Sequence, residues 1–96
     1  VYACAKAGLN TLTAVMAQEF APKGIRANGI ICGTFWTDSF RASLPTQEAA
    51  AVAAQGNAQK RVAEAEEIVG TALYLATDAS SYTTGQMIQV DGGVLP

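Results

Sequence analysis

Tyr2 and Lys6 are the residues near the start of the chain whose types and spacing could carry out proton transfer. On a helix, positions i and i+4 lie on one face about a turn apart, so the phenol and the ammonium group would be neighbours. A phenol exchanges protons poorly at neutral pH, but a nearby positive charge favours its ionised form. The pair could therefore act as a general acid and base. The same spacing also fits a partly buried tyrosine beside a solvated lysine, which is the commoner arrangement.

The composition excludes several other kinds of chemistry. The 96 residues contain no histidine, which rules out a histidine-based triad, a histidine metal site and a histidine proton shuttle within this chain. The net charge of −2 and the pI of about 4.8, without a cluster of Lys or Arg, argue against nucleic acid and anionic membranes as partners. We therefore expect neither nucleic acid nor a membrane as a partner, and no metal.

The cysteines and the hydropathy pattern indicate in which cellular compartment the protein is expected. Cys4 and Cys32 lack both the paired spacing of a metal knuckle and the density of a disulfide scaffold. We expect them to be reduced, buried thiols of a cytoplasmic protein. No stretch approaches the roughly 18 consecutive apolar residues of a membrane span, and no segment resembles a signal peptide, so a soluble protein is expected.

Two helices are predicted from apolar periodicity. Between Tyr2 and Ala21 the apolar residues recur at spacings of three and four, the period of one helical face. They are Leu9, Leu12, Met16 and Phe20. Pro22 and Gly24 mark the end of this helix. A second helix should begin near Glu64, where acidic side chains favour a helix N-terminus, and should stop near Asp78.

Two short apolar runs, 25–32 and 86–90, predict strands, the first of them largely buried. Between them, 34–61 predicts two short helices, the second beginning near Pro45-Thr46. The weak apolar content of this segment suggests a mobile lid. Because strands and helices alternate, we expect an α/β arrangement in which two parallel strands are joined by a right-handed crossover.

The chain has the composition of a segment that packs against further structure. Half of its residues are apolar and 15% are charged, whereas about a quarter are charged in an ordinary domain. Its core should be thin. The sequence also begins Val1-Tyr2, inside a helical pattern and without an initiator Met. We expect a piece of a longer polypeptide.

Several segments together resemble the short-chain dehydrogenase/reductase family and cover nearly the whole chain. YACAKAGLNTLTAVMAQEFAPKGIRANGI is similar to the family's tyrosine-lysine helix, the turn after it and the next strand. KRVAEAEEIVGTALYLATDASSYTTGQMIQVDGG is similar to its final helix, strand and turn. The resemblance implies the C-terminal part of a Rossmann-type doubly wound parallel sheet, incomplete without its N-terminal half. It makes 1–96 the C-terminal half of a single domain, with 34–61 as the substrate lid.

The resemblance also implies a catalytic pair. Tyr2 matches the acid/base that protonates a carbonyl oxygen during reduction or accepts a hydroxyl proton during oxidation. Lys6 matches the lysine that assists this tyrosine and hydrogen-bonds the ribose of the nicotinamide cofactor.

A second group of cofactor-binding residues follows the first strand. The segment CGTFWT, 32–37, lies where the family has Pro-Gly-x-x-x-Thr, a loop that meets the nicotinamide. Gly33 would permit close backbone approach, the Phe35 amide would meet the carboxamide, and Thr37 would contact the carboxamide or the diphosphate. This location agrees with the rule that open α/β sheets bind ligands at the carboxyl ends of their strands. Trp36 is either a core aromatic or a wall facing the substrate.

Other positions are expected to be structural or depart from the family pattern. Asn28 should pair with buried backbone, Asp91 should shape the Asp91-Gly92-Gly93 turn, and Cys4 should be a small packing residue. Cys32 replaces a proline. The residues at three further positions, where the family has proline, glycine and proline, should make the exit from the lid more helical. These are Ala58, Ala63 and Ala65.

The implied function is an NAD(P)-dependent oxidoreductase that interconverts a carbonyl and a secondary alcohol, with a small-molecule carbonyl or alcohol as its substrate. A 3-oxoacyl-(acyl-carrier-protein) reductase-like activity is favoured, with a sugar or polyol dehydrogenase as the alternative. NAD and NADP remain open, because the discriminating residue, the glycine-rich loop and two further catalytic positions are expected upstream. We expect a homo-oligomer, a tetramer or dimer, with the helix from Leu9 to Phe20 as a subunit contact. A truncated, non-catalytic association module is the competing hypothesis, because uncovered apolar faces and a sheet edge invite pairing.

Overall fold

The computed structural model describes residues 1–44 and 46–94. Within them the chain forms two compact units, 1–30 with 72–88 and 31–71 with 89–94. The predicted starting residue Pro45 of the second lid helix lies outside the described residues. None of the helices within the described residues is long and apolar enough to cross a membrane.

The observed element order confirms the predicted alternation of helices and strands. The helices are α1 (Tyr2–Phe20), α2 (Asp38–Ser43), α3 (Gln47–Ala54) and α4 (Val69–Ala76). The strands are β1 (Gly29–Cys32), β2 (Phe35–Trp36), β3 (Ala63–Glu64) and β4 (Met87–Val90). Short 3₁₀ turns occupy Ala21–Lys23, Ala65–Ile68 and Asp78–Ser80.

The strands form two parallel pairs, β1 with β4 and β2 with β3. The Gly29 N–H donates to the Gln86 carbonyl at 2.8 Å, and the Gly33 N–H donates to the Val90 carbonyl at 2.9 Å. Between these two bonds each strand advances by four residues in the same sense, so β1 and β4 are parallel. The α/β class with parallel strands is therefore confirmed.

The first helix ends as its sequence predicts. The chain leaves α1 through the 3₁₀ turn that contains Pro22, and Gly24 adopts a left-handed conformation with φ of 76°. Glycine suits this position because a side chain would make the left-handed conformation costly.

The predicted start of β1 was wrong. The strand begins at Gly29 rather than Ile25, because the preceding residues bond to the loop before β4 instead of to a neighbouring strand. The Ala27 N–H donates to Thr84 Oγ1 at 3.1 Å, and the Asn28 side chain donates to the Thr83 carbonyl at 3.0 Å. The expected burial was wrong as well, since Gly29 to Ile31 are half-buried and Cys32 is exposed.

Segment 34–61, the predicted lid, forms the two predicted short helices, but the chain that follows them is not continuously helical, since Ala58 lies in a turn and Ala63 in a strand. Thr37 and Thr46 cap α2 and α3, since their hydroxyl oxygens accept from the N–H groups of Phe40 and Ala49. After α3 the chain turns and forms β3, in which Ala63 pairs with Phe35. This pairing holds the chain extended, against the helical propensity of alanine.

Little of the apolar surface is buried, which confirms the thin core. Among the described residues, the buried apolar side chains are Ala17, at 2% exposure, and Val62, at 8%. Leu9, Leu12 and Met16 on the predicted apolar stripe of α1 are 52%, 51% and 40% exposed. In the first unit, α1 therefore packs through its small residues, with Ala17 close to Gly85.

Candidate functional site

Tyr2 and Lys6 lie side by side on the first turns of α1. The Lys6 Nζ atom is 5.6 Å from the centroid of the Tyr2 ring, a cation–π distance. The helix begins at Tyr2, and its first turn is closed when the Ala5 N–H donates to the Val1 carbonyl at 2.9 Å. Both side chains are exposed, Tyr2 at 76%. The pair is thus open to a ligand on this face of the helix.

A pocket of about 460 Å³ opens at the carboxyl end of β1, in the second unit. We call it the loop pocket. It is lined by Cys32, Gly33, Thr34, Phe35, Thr37, Phe40, Ala65 and Ile68. The structure thus brings together all three cofactor-binding residues predicted after the first strand. Tyr2 and Lys6 belong to the other unit.

Gly33 has a structural reason to be glycine. A Cβ atom built on it would lie 2.6 Å from the Asp91 Cα atom and 3.1 Å from the Asp91 carbonyl oxygen. Contacts this short are repulsive, and neither backbone can move away without displacing its strand. The absence of a side chain at Gly33 therefore lets its backbone lie close to the backbone at the end of β4.

Thr37 combines a structural bond with a place in the loop pocket. Its Oγ1 atom accepts from the Phe40 N–H at 3.1 Å and caps α2. A hydroxyl is also a donor, so the Thr37 hydrogen is available to a ligand while the cap is kept. The predicted contact with a carboxamide or a diphosphate remains a prediction.

Trp36 lies outside the loop pocket. Its half-buried ring packs against Phe40, with the centroids 5.5 Å apart and the planes tilted by 58°. The Arg41 guanidinium carbon lies 5.2 Å from the Trp36 ring centroid. Neighbouring strand residues point to opposite faces, which explains why Phe35 lines the loop pocket and Trp36 does not. A substrate contact by Trp36 remains a prediction.

Both cysteines are free and exposed, so the predicted burial of their thiols was wrong. Cys4 lies on the open surface of α1 and is not a packing residue. Cys32 ends β1 and lines the loop pocket. Within the described residues, no group of three or more His, Cys, Asp or Glu side chains could hold a metal ion.

A polar cluster that the sequence did not predict adjoins β2 and β3. The Arg61 guanidinium donates two hydrogen bonds of 2.7 Å to the Glu67 carboxylate, whose Oε2 atom also accepts from the Glu64 N–H at 2.7 Å. These bonds lower the pKa of Glu67 to about 2, the Arg61 bond contributing most, and the pKa of Arg61 is raised in turn. Glu64 and Glu67 form a capping box that begins the last helical segment.

A second polar cluster, which the sequence also did not predict, centres on Arg26. Its guanidinium donates to Ser80 Oγ at 2.7 Å and to three backbone carbonyls, of Leu75, Thr77 and Thr83, at 3.1 to 3.3 Å. Two of these carbonyls lie at the end of α4, where a cation is favoured by the helix dipole. Arg26 therefore ties the segment before β1 to the end of α4.

The structural roles predicted for Asn28 and Asp91 are confirmed. Asn28 donates to the Thr83 carbonyl and accepts from the Gln86 N–H, which satisfies both ends of its amide. Asp91 Oδ1 accepts from the Gly93 N–H at 2.9 Å, and Gly92 and Gly93 adopt positive φ.

Comparison with known proteins supports the same family. A family model described as enoyl-(acyl carrier protein) reductase matches residues 1–95. The "Probable galactose dehydrogenase GalD" of Rhizobium meliloti (strain 1021) is 38% identical over 97% of this chain and 36% of its own length. The chain thus spans about a third of the length of this curated relative.

Solved structures share the fold. The crystal structure of "a putative gluconate dehydrogenase" from Agrobacterium tumefaciens superimposes with a TM-score of 0.86 and 42% identity, over 95% of this chain and 36% of its own. YwfH, an NADPH-dependent reductase involved in bacilysin biosynthesis, superimposes with a TM-score of 0.86 and 33% identity, over 93% of this chain and 37% of its own. With the tyrosine-lysine pair, the parallel strands and the matched family model, this chain belongs to the short-chain dehydrogenase/reductase family.

Proposed function

We propose that the protein carrying this chain is an NAD(P)-dependent oxidoreductase that interconverts a carbonyl group and a secondary alcohol. The observation that carries the proposal is the placement of Lys6 Nζ 5.6 Å from the Tyr2 ring on an open helix face. Because the chain spans 36% of the length of its galactose dehydrogenase relative, the proposal concerns the protein to which these residues belong.

Tyr2 moves the proton in this proposal. In reduction its hydroxyl donates a proton to the carbonyl oxygen, and in oxidation its oxygen accepts the proton of the alcohol. The Lys6 ammonium would stabilise the negative charge on the Tyr2 oxygen after donation, and it would help to hold the ribose of the cofactor. A bound nicotinamide supplies or accepts the hydride.

The loop pocket is suited to hold the nicotinamide end of the cofactor. Its apolar lining from Phe35, Phe40 and Ile68 can contact the faces of a flat ring. The hydroxyl of Thr37 can donate to a carboxamide oxygen or a phosphate while it caps α2. The pocket also lies at the carboxyl end of a parallel strand, where α/β sheets bind their ligands.

Two substrate classes have specific support. The matched family model is described as an enoyl-(acyl carrier protein) reductase, which supports a thioester on acyl carrier protein as the substrate class; within that class a 3-oxoacyl thioester carries the carbonyl that the proposed reaction needs. The galactose and gluconate dehydrogenases among the similar proteins support a sugar or sugar acid. We place the 3-oxoacyl thioester first, because the matched family model covers residues 1–95 and its description names an acyl-carrier-protein substrate.

Turnover assays with each cofactor distinguish these classes. The protein is assayed with NADH and NADPH against a 3-oxoacyl thioester, and with NAD and NADP against galactose and gluconate, by the absorbance of the reduced nicotinamide. NADPH and NADP are included beside NADH and NAD because the similar protein YwfH is described as an NADPH-dependent reductase. Turnover of the thioester supports the first class, and turnover of a sugar alone replaces it with the second. Absence of cofactor binding would instead favour a non-catalytic association module.

We also propose that the protein assembles into a homo-oligomer, a tetramer or dimer, through α1. Leu9, Leu12 and Val15 on this helix are each 51 to 52% exposed. Apolar side chains grouped along one helix stripe are a common basis for subunit contacts.

A further inference from the structure

The lid carries a groove of about 340 Å³ that is distinct from the loop pocket. We call it the lid groove. It is lined by Trp36, Arg41, Leu44, Thr46, Gln47 and Ala50, and none of these described residues lines the loop pocket. The lid groove is shallow and open to solvent.

The lid groove contains a cation held in place by an aromatic ring. The Arg41 guanidinium carbon lies 5.2 Å from the Trp36 ring centroid, within the range of a cation–π contact. The ring is itself fixed by Phe40, at 5.5 Å between centroids. A cation–π contact uses the charge of the guanidinium and none of its N–H hydrogen bonds, so these N–H groups can still donate to a ligand.

Among the residues that the structure describes, the only ion pair joins Arg61 to Glu67. The Arg41 charge is therefore not neutralised by Asp38 on the same helix or by Glu48 on α3. The other polar groups of the lid groove can donate as well. Thr46 Oγ1 already accepts from the Ala49 N–H at 3.2 Å, so its hydrogen is free to donate.

The geometry points to a binding site for a small molecule that carries a carboxylate on an apolar body. The carboxylate accepts two parallel hydrogen bonds from Arg41 and one from Thr46. The apolar body lies against the Trp36 ring and the side chains of Leu44 and Ala50. The site does not require the cofactor or the proton-transfer pair, so it can be tested without measuring turnover.

Trp36 is the single tryptophan of this chain, and its indole N–H resonance can report on the lid groove directly. The resonance is assigned by its loss in Trp36→Phe, and hexanoate is titrated against hexanamide, which has the same shape without the charge. We expect hexanoate to shift the resonance saturably and to bind about tenfold more tightly than hexanamide, since a hydrogen bond to a charged group supplies a difference of this order.

Variants locate the charge that is responsible. Arg41→Gln should weaken hexanoate binding about tenfold and leave hexanamide binding unchanged, whereas Lys60→Gln, which removes an exposed cation elsewhere, should change neither. Equal binding of hexanoate and hexanamide by the unaltered protein would overturn the proposal, even if Arg41→Gln failed to fold. Undiminished hexanoate binding by a folded Arg41→Gln variant would also overturn it.

Discussion

Single residues in this chain hold together segments that are far apart in sequence. Arg26 donates to Ser80 and to carbonyls at the end of α4, more than forty residues later. The sequence could not predict this cluster, because three of its four acceptors are backbone carbonyls whose positions depend on the fold. Tyr2 and Lys6 could be predicted, because their contact depends only on the local geometry of a helix.

Arg26→Gln should destabilise the protein. The shorter amide cannot reach the acceptors, so the buried Ser80 hydroxyl and the carbonyls of the half-buried Leu75 and Thr83 would lose a charged donor. The free energy of unfolding should fall by about 2 kcal/mol or more, which urea denaturation followed by circular dichroism would measure. Lys23→Gln, at an exposed position, is the matched control and should unfold as the unaltered protein does. If the two variants are equally stable, Arg26 does not stabilise the fold through these hydrogen bonds.

Gly33→Ala tests the close approach between the ends of β1 and β4. The added Cβ would meet the Asp91 Cα atom at 2.6 Å, and overpacking against backbone should cost about 1–3 kcal/mol of stability. Gly8→Ala is the control, because nothing lies within 4 Å of its Cβ position on α1. Since alanine favours a helix, Gly8→Ala should raise stability by about 0.5–1 kcal/mol. A Gly33→Ala variant as stable as the unaltered protein would contradict this close approach.

At the scale of elements, long periodic segments were predictable and short non-local ones were not. The end of α1 followed from Pro22 and Gly24, and the two lid helices followed from local signals. β2 and β3 were missed because each has two residues and exists through its pairing with the other. The first residues of the expected β1 bond to the loop after α4 instead, which sequence periodicity does not reveal.

The capping box before α4 should make stability depend on acid pH. The Glu67 pKa is lowered to about 2, mainly by Arg61, so the stabilisation is complete above the unfolded-state pKa of about 4.3 and is lost as the pH falls from there towards 2. The melting temperature should therefore drop more between pH 6 and pH 3 in the unaltered protein than in Glu67→Gln.

Glu66→Gln is the matched control for this pH dependence. Glu66 lies beside Glu67 on the same turn, but the capping box and the Arg61 pair involve Glu67. The Glu66→Gln variant should keep the acid sensitivity of the unaltered protein. If Glu67→Gln keeps it as well, the Glu67 carboxylate is not its source.

At the scale of the whole molecule, the exposed apolar stripe of α1 should form a contact between subunits. Leu12→Glu would place a charge in the centre of this stripe and should reduce the sedimentation coefficient to that of a smaller species. Thr11→Glu, on the adjacent exposed position, should leave the assembly intact. A monomer in the unaltered protein, or no response to Leu12→Glu, would count against the proposed oligomer.

The central claim, that Tyr2 transfers the proton, is tested most directly by turnover of Tyr2→Phe. The variant keeps the ring but loses the hydroxyl, so kcat should fall about 100-fold or more, while cofactor binding, measured by nicotinamide fluorescence, should be retained. Tyr82→Phe, which removes a hydroxyl from a fully exposed ring, should retain full turnover. Full turnover by Tyr2→Phe, with the cofactor bound, would contradict the account.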